Sequence, residues 1–170
     1  MSHADNKVGW CLRKADKELK AGDEHRGLVR MKPDVELARA HVKKAEHNLK
    51  AISDFKRMGY SDWSASAAFY SVYHCFLAIA AKSGYESRNQ ECTFALIRSL
   101  IGKKEIDLDV ALVDQVSELG AEGKHESATV VEVRESGQYG VKLSLEAETF
   151  DRLLKLAKVV LDKTKEILQE

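Results

Sequence analysis

Asp62-Trp-Ser-Ala-Ser-Ala-Ala-Phe-Tyr-Ser-Val-Tyr-His-Cys-Phe-Leu-Ala-Ile-Ala-Ala-Lys82 is the stretch that decides the fold. It contains no proline or glycine, so nothing breaks a helix across it. Trp63, Ala67, Ala68, Phe69, Tyr70, Val72, Tyr73, Phe76, Leu77 and Ile79 surround most of the cylinder rather than one stripe. A helix apolar nearly all round belongs inside a bundle. Ser61 is placed to cap its start, and Gly84 ends it. The longest apolar run, Cys75 to Ala81, is too short to cross a bilayer, so no membrane partner is expected.

The flanking segments supply its cover. Upstream, Pro33 suits a first helical position, and Asp34 and Glu36 place negative charge at the positive end of a helix dipole. Val35, Ala38, Val42, Ala45, Leu49 and Ile52 then recur at alternating spacings of three and four, a narrow bundle seam that stops at Gly59. Downstream, Asn89 caps a helix over 90–101 bearing Phe94, Leu96, Ile97, Leu100 and Ile101. A weaker helical pattern covers 107–118. Thr129-Val-Val-Glu-Val133 is β-branched enough for a strand, yet no second strong strand offers itself. A lone strand would leave its backbone groups unpaired, so helix is predicted over 126–136. Ser144 caps a last helix, 145–169, with a stripe of Phe150, Leu153, Leu154, Ala157, Val160, Leu161, Thr164 and Leu168. At the other end, residues 4–21 read as a short amphipathic helix (Val8, Cys11, Leu12, Ala15, Leu19), followed by a polar loop over 22–32.

The fold class predicted is all-α: an up-and-down bundle of four to five main helices over residues 33–170, with an N-terminal helical extension over 1–32 lying outside the main core. A chain of 170 residues suffices for one domain and one core. With 27 basic and 27 acidic residues there is no global basic field to draw the protein onto nucleic acid. Three cysteines, Cys11, Cys75 and Cys92, form no Cys-x-x-Cys pair; reduced, buried thiols in a cytoplasmic chain are expected. Glu122, His125 and Glu126, like His41, Glu46 and His47, lack paired histidines four apart and read as solvated faces. No phosphate loop or nucleophile elbow occurs, and neither a metal nor a cofactor is expected.

Polar residues on or beside the apolar helix are the candidates for function. His74 is either a satisfied core histidine or a proton carrier in a cleft. Tyr70 and Tyr73, three apart, serve as core packing with hydroxyls at the rim or as a stacking surface for a base. Arg88, Asn89 and Gln90 stand at a helix start, where they form a cap or hold a phosphate. Arg134, Gln138 and Tyr139 form either a salt bridge and turn or a site.

Three segments carry a family likeness. Ser64 to Ala78 resembles the small-residue and Tyr-x-x-aromatic-His helix of HEPN domains. Gly84-Tyr-Glu-Ser-Arg-Asn-Gln-Glu-Cys-Thr-Phe-Ala-Leu-Ile97 is similar to the loop and helix that follow it there, in a form like that of an archaeal branch. Arg134-Glu-Ser-Gly-Gln-Tyr-Gly140 resembles the segment before the last helix. The likeness implies a four- or five-helix bundle, commonly dimeric and found beside small nucleotidyltransferases in toxin–antitoxin pairs. It also implies metal-independent ribonuclease chemistry through an Arg-x4–6-His motif. No arginine here has a histidine five to seven residues downstream; Arg134 is followed at those positions by Tyr139, Gly140 and Val141. A phenol of pKa about 10 cannot relay protons at neutral pH as an imidazole does. The reading is thus a homodimeric module that binds a nucleotide or RNA through Tyr70, Arg88, Asn89, Gln90, Arg134 and Gln138, or that partners a nucleotidyltransferase. The alternatives are a degenerate nuclease using Arg134, Tyr139 and His74, and a purely structural interaction module.

Overall fold

A computed structural model describes residues 2–117 and 127–169. Among the described residues seven helices follow in the order α1 (His3–Lys20), α2 (Val35–Arg57), α3 (Ser61–Lys82), α4 (Gln90–Gly102), α5 (Val110–Val116), α6 (Val130–Tyr139) and α7 (Ala147–Gln169). Strands β1 (Leu28–Arg30) and β2 (Tyr85–Ser87) pair as a two-stranded ribbon. The all-α bundle expected from the sequence is what forms. Helix α3 is its axis, covered by α2, α6, α7 and α4. Phe69, Phe76 and Ile79 of α3 are wholly buried with Phe94, Leu96 and Ile97 of α4, Ile52 of α2 and Leu153 of α7. Each such side chain contributes about 1.5–3 kcal/mol on leaving water.

Helices α2 and α3 run antiparallel in a register set by small residues. Ser64 Oγ donates to the Ile52 carbonyl at 2.7 Å, and Ser71 Oγ to the Ala45 carbonyl at 2.9 Å. His74 meets His41 one turn on, and Ala78 and Ala81 meet Ala38 beyond that. Serine and alanine let the backbones approach closely, and each buried hydroxyl finds a carbonyl in the facing helix. The predicted α2 seam is buried at Ala38, Ala45 and Ile52 and half-buried at Val42 and Leu49, but Val35 is exposed. The α7 stripe buries Leu156 and Ile167 where Leu154 and Leu168 were expected; those two are half-buried.

Several helix ends differ from the sequence reading. Asp34, not Pro33, begins α2: its carboxylate accepts from Leu37 N–H at 2.8 Å, and its own N–H reaches the Ala81 carbonyl. Ser61 does not cap α3 but lies inside it, accepting from Leu145 N–H at 2.9 Å and so pinning the α6–α7 connection. Ser144 does not cap α7, which starts at Ala147 with Phe150 N–H on the Glu146 carbonyl. Asn89 caps α4 as predicted, through its side-chain oxygen and Cys92 N–H. The β-branched segment is helical from Val130 onward. Thr129 and Glu132 close a capping box there, satisfying donors that a lone strand would leave open. Residues 118–126, including Glu122, His125 and Glu126, lie outside the described residues.

The loop expected over 22–32 contains β1, whose pairing with β2 places Leu28 opposite Ser87 and Arg30 opposite Tyr85. Gly84 makes the turn from α3 into β2 at φ +80°, and a Cβ there would stand 2.9 Å from the Met31 carbonyl. The N-terminal segment is not an appendage outside the core: Val8, Cys11 and Leu28 are buried in the main apolar cluster, with α1 lying on α4. Cys11 and Cys92 are not free thiols but a disulfide joining those two helices. Sequence spacing cannot show such a pair, because 81 residues separate its members. Cys75 is a buried free thiol, pushed up to about 12 by desolvation.

Reducing the disulfide is expected to destabilise the protein by about 2–5 kcal/mol, by releasing a long loop in the unfolded chain. Denaturant titration with and without dithiothreitol measures it, and coincident curves would contradict the pairing. Asn89→Ala is expected to cost about 1 kcal/mol in the same assay.

Candidate functional site

Tyr70, His74, Leu77 and Ala81 recur on one side of α3 at helical spacing. His74 faces α2, where its Nδ1 stands 3.0 Å from His41 Nδ1. Two bare lone pairs cannot meet at that distance, so one ring donates an Nδ1–H and the other accepts it. Desolvation first, then the charges of His41 and Lys44, lowers the His74 pKa to about 4. His41 is lowered too, by desolvation. Both rings are therefore neutral at neutral pH.

His41 lines a hollow of about 270 Å³ with Leu77, Tyr85, Glu86, Ser87 and Arg88. The Arg88 guanidinium is already engaged: its Nε donates to Glu86 at 2.7 Å, and Glu24 lies 3.5 Å away. Glu86 also accepts from the buried His25, which ties the α1–β1 loop to β2. Hydrogen bonds to His25 and Arg88 outweigh desolvation and hold the Glu86 carboxyl below its usual range. Asn89 spends its side-chain oxygen on the cap, and its carbonyl on Thr93. Arg88 and Asn89 are thus committed to fold contacts on this side, while Gln90 is the first residue of α4.

Arg134 lies elsewhere, on α6 along the first half of α3. Its guanidinium carbon sits 4.2 Å above the Phe69 ring. Its side chain is 11% exposed and forms the salt bridge that the sequence allowed, with Glu135 at 3.8 Å, too long for a hydrogen bond. The buried Nε has no partner. Gly137 brings α6 this close to α3, since a Cβ there would stand 2.9 Å from the Asp62 carbonyl. Tyr70 packs edge-on to the same Phe69 ring and is 42% exposed. Tyr73 stacks parallel to Phe69 and its hydroxyl lies 3.2 Å from Thr93 Oγ1, so it packs half-buried against the core.

The structure therefore divides the predicted site residues. Phe69 links Tyr70 to Arg134, whereas Arg88, Asn89 and Gln90 belong to the β2–α4 corner. Gln138 is exposed on α6, and Tyr139 is 83% exposed beyond it. No hydrogen bond or ion pair joins His74, Arg134 and Tyr139 among the described residues. Sequence reasoning missed His41 as the partner of His74. Its signal was present: His41 stands three after Ala38 and four before Ala45, on the buried edge of the α2 seam rather than on a solvated face. Glu46, beside His41 and His47 in sequence, pairs with Lys165 of α7 at 2.7 Å.

A histidine held below its unfolded pKa of about 6.5 favours the folded state above that pH, and loses this contribution as pH falls toward the folded value. The unfolded chain takes up protons first. His74→Asn is accordingly expected to flatten the fall in melting temperature between pH 7 and pH 4.5. An unchanged pH profile would show that the pair is not held neutral.

Comparison with curated proteins returns no match. The family model for the HEPN domain matches residues 38–167, from the α2 seam through the axial helix and α6 to the end of α7. That is most of the chain, and the protein belongs to the HEPN domain family.

Proposed function

We propose that this HEPN domain is a binding module for a phosphate-bearing ligand, a nucleotide or RNA, with Arg134 as the anion contact and Tyr70 as a stacking surface beside it. The observation that carries the reading is the state of Arg134. A largely buried guanidinium with an unbonded Nε and no carboxylate within hydrogen-bond distance is an incompletely satisfied cation. A phosphate oxygen would complete it, in the fork geometry that arginine offers and lysine does not. The ribonuclease alternative has less support. Tyr139 stands where the family's histidine would, its ring is solvated, and His74 is bonded to His41 instead.

A protein-contact role, as a homodimer or as the partner of a small nucleotidyltransferase, has its own supporting observation. Tyr60, Trp63, Tyr139, Val141 and Leu143 are all exposed. The Leu145–Ser61 bond brings the α6–α7 connection to the start of α3, where Tyr60 and Trp63 lie. Large exposed apolar side chains near one another mark interaction surfaces.

Melting of the wild-type chain against ATP, GTP and short single-stranded RNAs tests the ligand reading. A ligand bound only to the folded state raises the melting temperature with concentration. The shift is expected to vanish in Arg134→Ala and to shrink in Arg134→Lys. A shift that survives Arg134→Ala overturns the assignment, and RNA cleavage lost on that substitution would establish the nuclease alternative.

A further inference from the structure

The disulfide between Cys11 and Cys92 stands at one end of a run of contacts that leads to Phe69. Cys92 and Thr93 follow each other at the start of α4, just after its cap, Asn89. Thr93 Oγ1 lies 3.2 Å from the Tyr73 hydroxyl and 2.7 Å from Ser87 Oγ. The Tyr73 ring stacks on Phe69 with planes 11° apart, and Phe69 has Arg134 over its ring and Tyr70 at its edge. We propose that the Cys11–Cys92 bond is a redox latch for the Arg134–Tyr70 site. Oxidised, it fixes the start of α4 where Thr93 and Tyr73 support Phe69; reduced, it lets that turn shift and weakens ligand binding. The inference rests on the ligand reading above and adds its regulation.

Packing makes the bond consequential. Both cysteines are fully buried in the apolar cluster. Two unbonded thiols cannot keep the separation of a covalent pair, so cleavage overpacks the seam and moves α1 and the start of α4 apart. The hydrogen bonds from Ser99 to Asp5 and from Lys7 to Glu91 remain, and keep α1 beside α4. Reduction takes two electrons from a dithiol. Its thiolate attacks Cys11 Sγ, and Cys92 leaves as the thiolate, which the first turn of a helix favours. The second thiol of the reductant resolves the mixed disulfide; the dithiol becomes a disulfide, and its two protons end on Cys11 and Cys92. Because the sulfurs are buried, attack follows local opening of α1. Cys75 takes no part, since it is buried on α3 with its thiol pushed up to about 12, so oxidation restores the same pair.

The test compares the oxidised protein, the same protein reduced with dithiothreitol, and the double variant Cys11→Ser, Cys92→Ser, each titrated with ATP, GTP and a short single-stranded RNA. Melting verifies that each is folded; where the reduced form is not, the comparison is made in sucrose, which favours the folded state. Reduction and the double substitution are each expected to weaken binding at least about fivefold, the lower end of ordinary coupling between sites. By linkage, the ligand shifts the thiol–disulfide equilibrium in glutathione buffers toward the disulfide by the same factor. Tyr73→Phe, which removes the hydroxyl beside Thr93, is expected to make the two redox states bind alike. The ring resonances of Phe69 and Tyr73 give a readout that needs no ligand, and they are expected to move on reduction. Rings that stay in place, or equal affinity in both states of the wild type, overturn the latch. An oxidised protein that binds none of the three ligands overturns the ligand reading instead, and the ring resonances still decide whether reduction reaches Phe69.

Discussion

The burial of α3 on every side is the constraint on which the other elements depend. A helix without a polar stripe must be surrounded, and α2, α4, α6 and α7 each supply one wall. Its composition then decides how close each wall comes. Toward α2 it presents serine and alanine, and Ser64 and Ser71 bond the α2 backbone directly. Toward α4 it presents Tyr73 and Phe76, which meet Phe94 edge-on. Toward α6 it presents Phe69 under the Arg134 guanidinium. Exposed Tyr70 and the fold-bearing residues are thus neighbours on one cylinder, and a substitution at Phe69 would disturb the contacts of both Tyr70 and Arg134.

What the sequence revealed and what it concealed follows from the range of each interaction. Helical periodicity is a short-range signal, so α2, α3, α4 and α7 were legible from spacing alone, and Asn89 from local capping chemistry. The helical reading of the Thr129 segment, made because no strand offered itself as a partner, holds from Val130, where a local capping box starts the helix. The misses are pairings across the fold. Cys11 meets Cys92, Leu28 meets Ser87 and His41 meets His74 only after the helices have docked. Ser61 shows the same limit: its local environment suggests a cap, but the tertiary demand of Leu145 N–H claims its oxygen. For the site, the residue types were found, but their grouping was not. Arg88 and Arg134 looked like two walls of one cleft, whereas Arg88 is neutralised by Glu86 and Glu24 at a separate corner.

The two polar features beside α3 differ in a way that separates their roles. The histidine pair is satisfied within the chain: one proton serves both rings, and the surrounding apolar groups hold them neutral. It stabilises the α2–α3 register with nothing further required. Arg134 has no such closure. Its stacking on Phe69 compensates part of the desolvation, but an arginine cannot shed its charge as a histidine can. The glycine at 137 that lets α6 approach Asp62 also weakens α6 as a helix. A short helix held close by a destabilising residue, with an incompletely satisfied cation beside an exposed tyrosine, costs stability at several points. Packing alone would be served as well by an apolar side chain over Phe69. An anion that completes Arg134 gives those costs a common reason, and for that reason the functional reading rests on Arg134 rather than on the histidines.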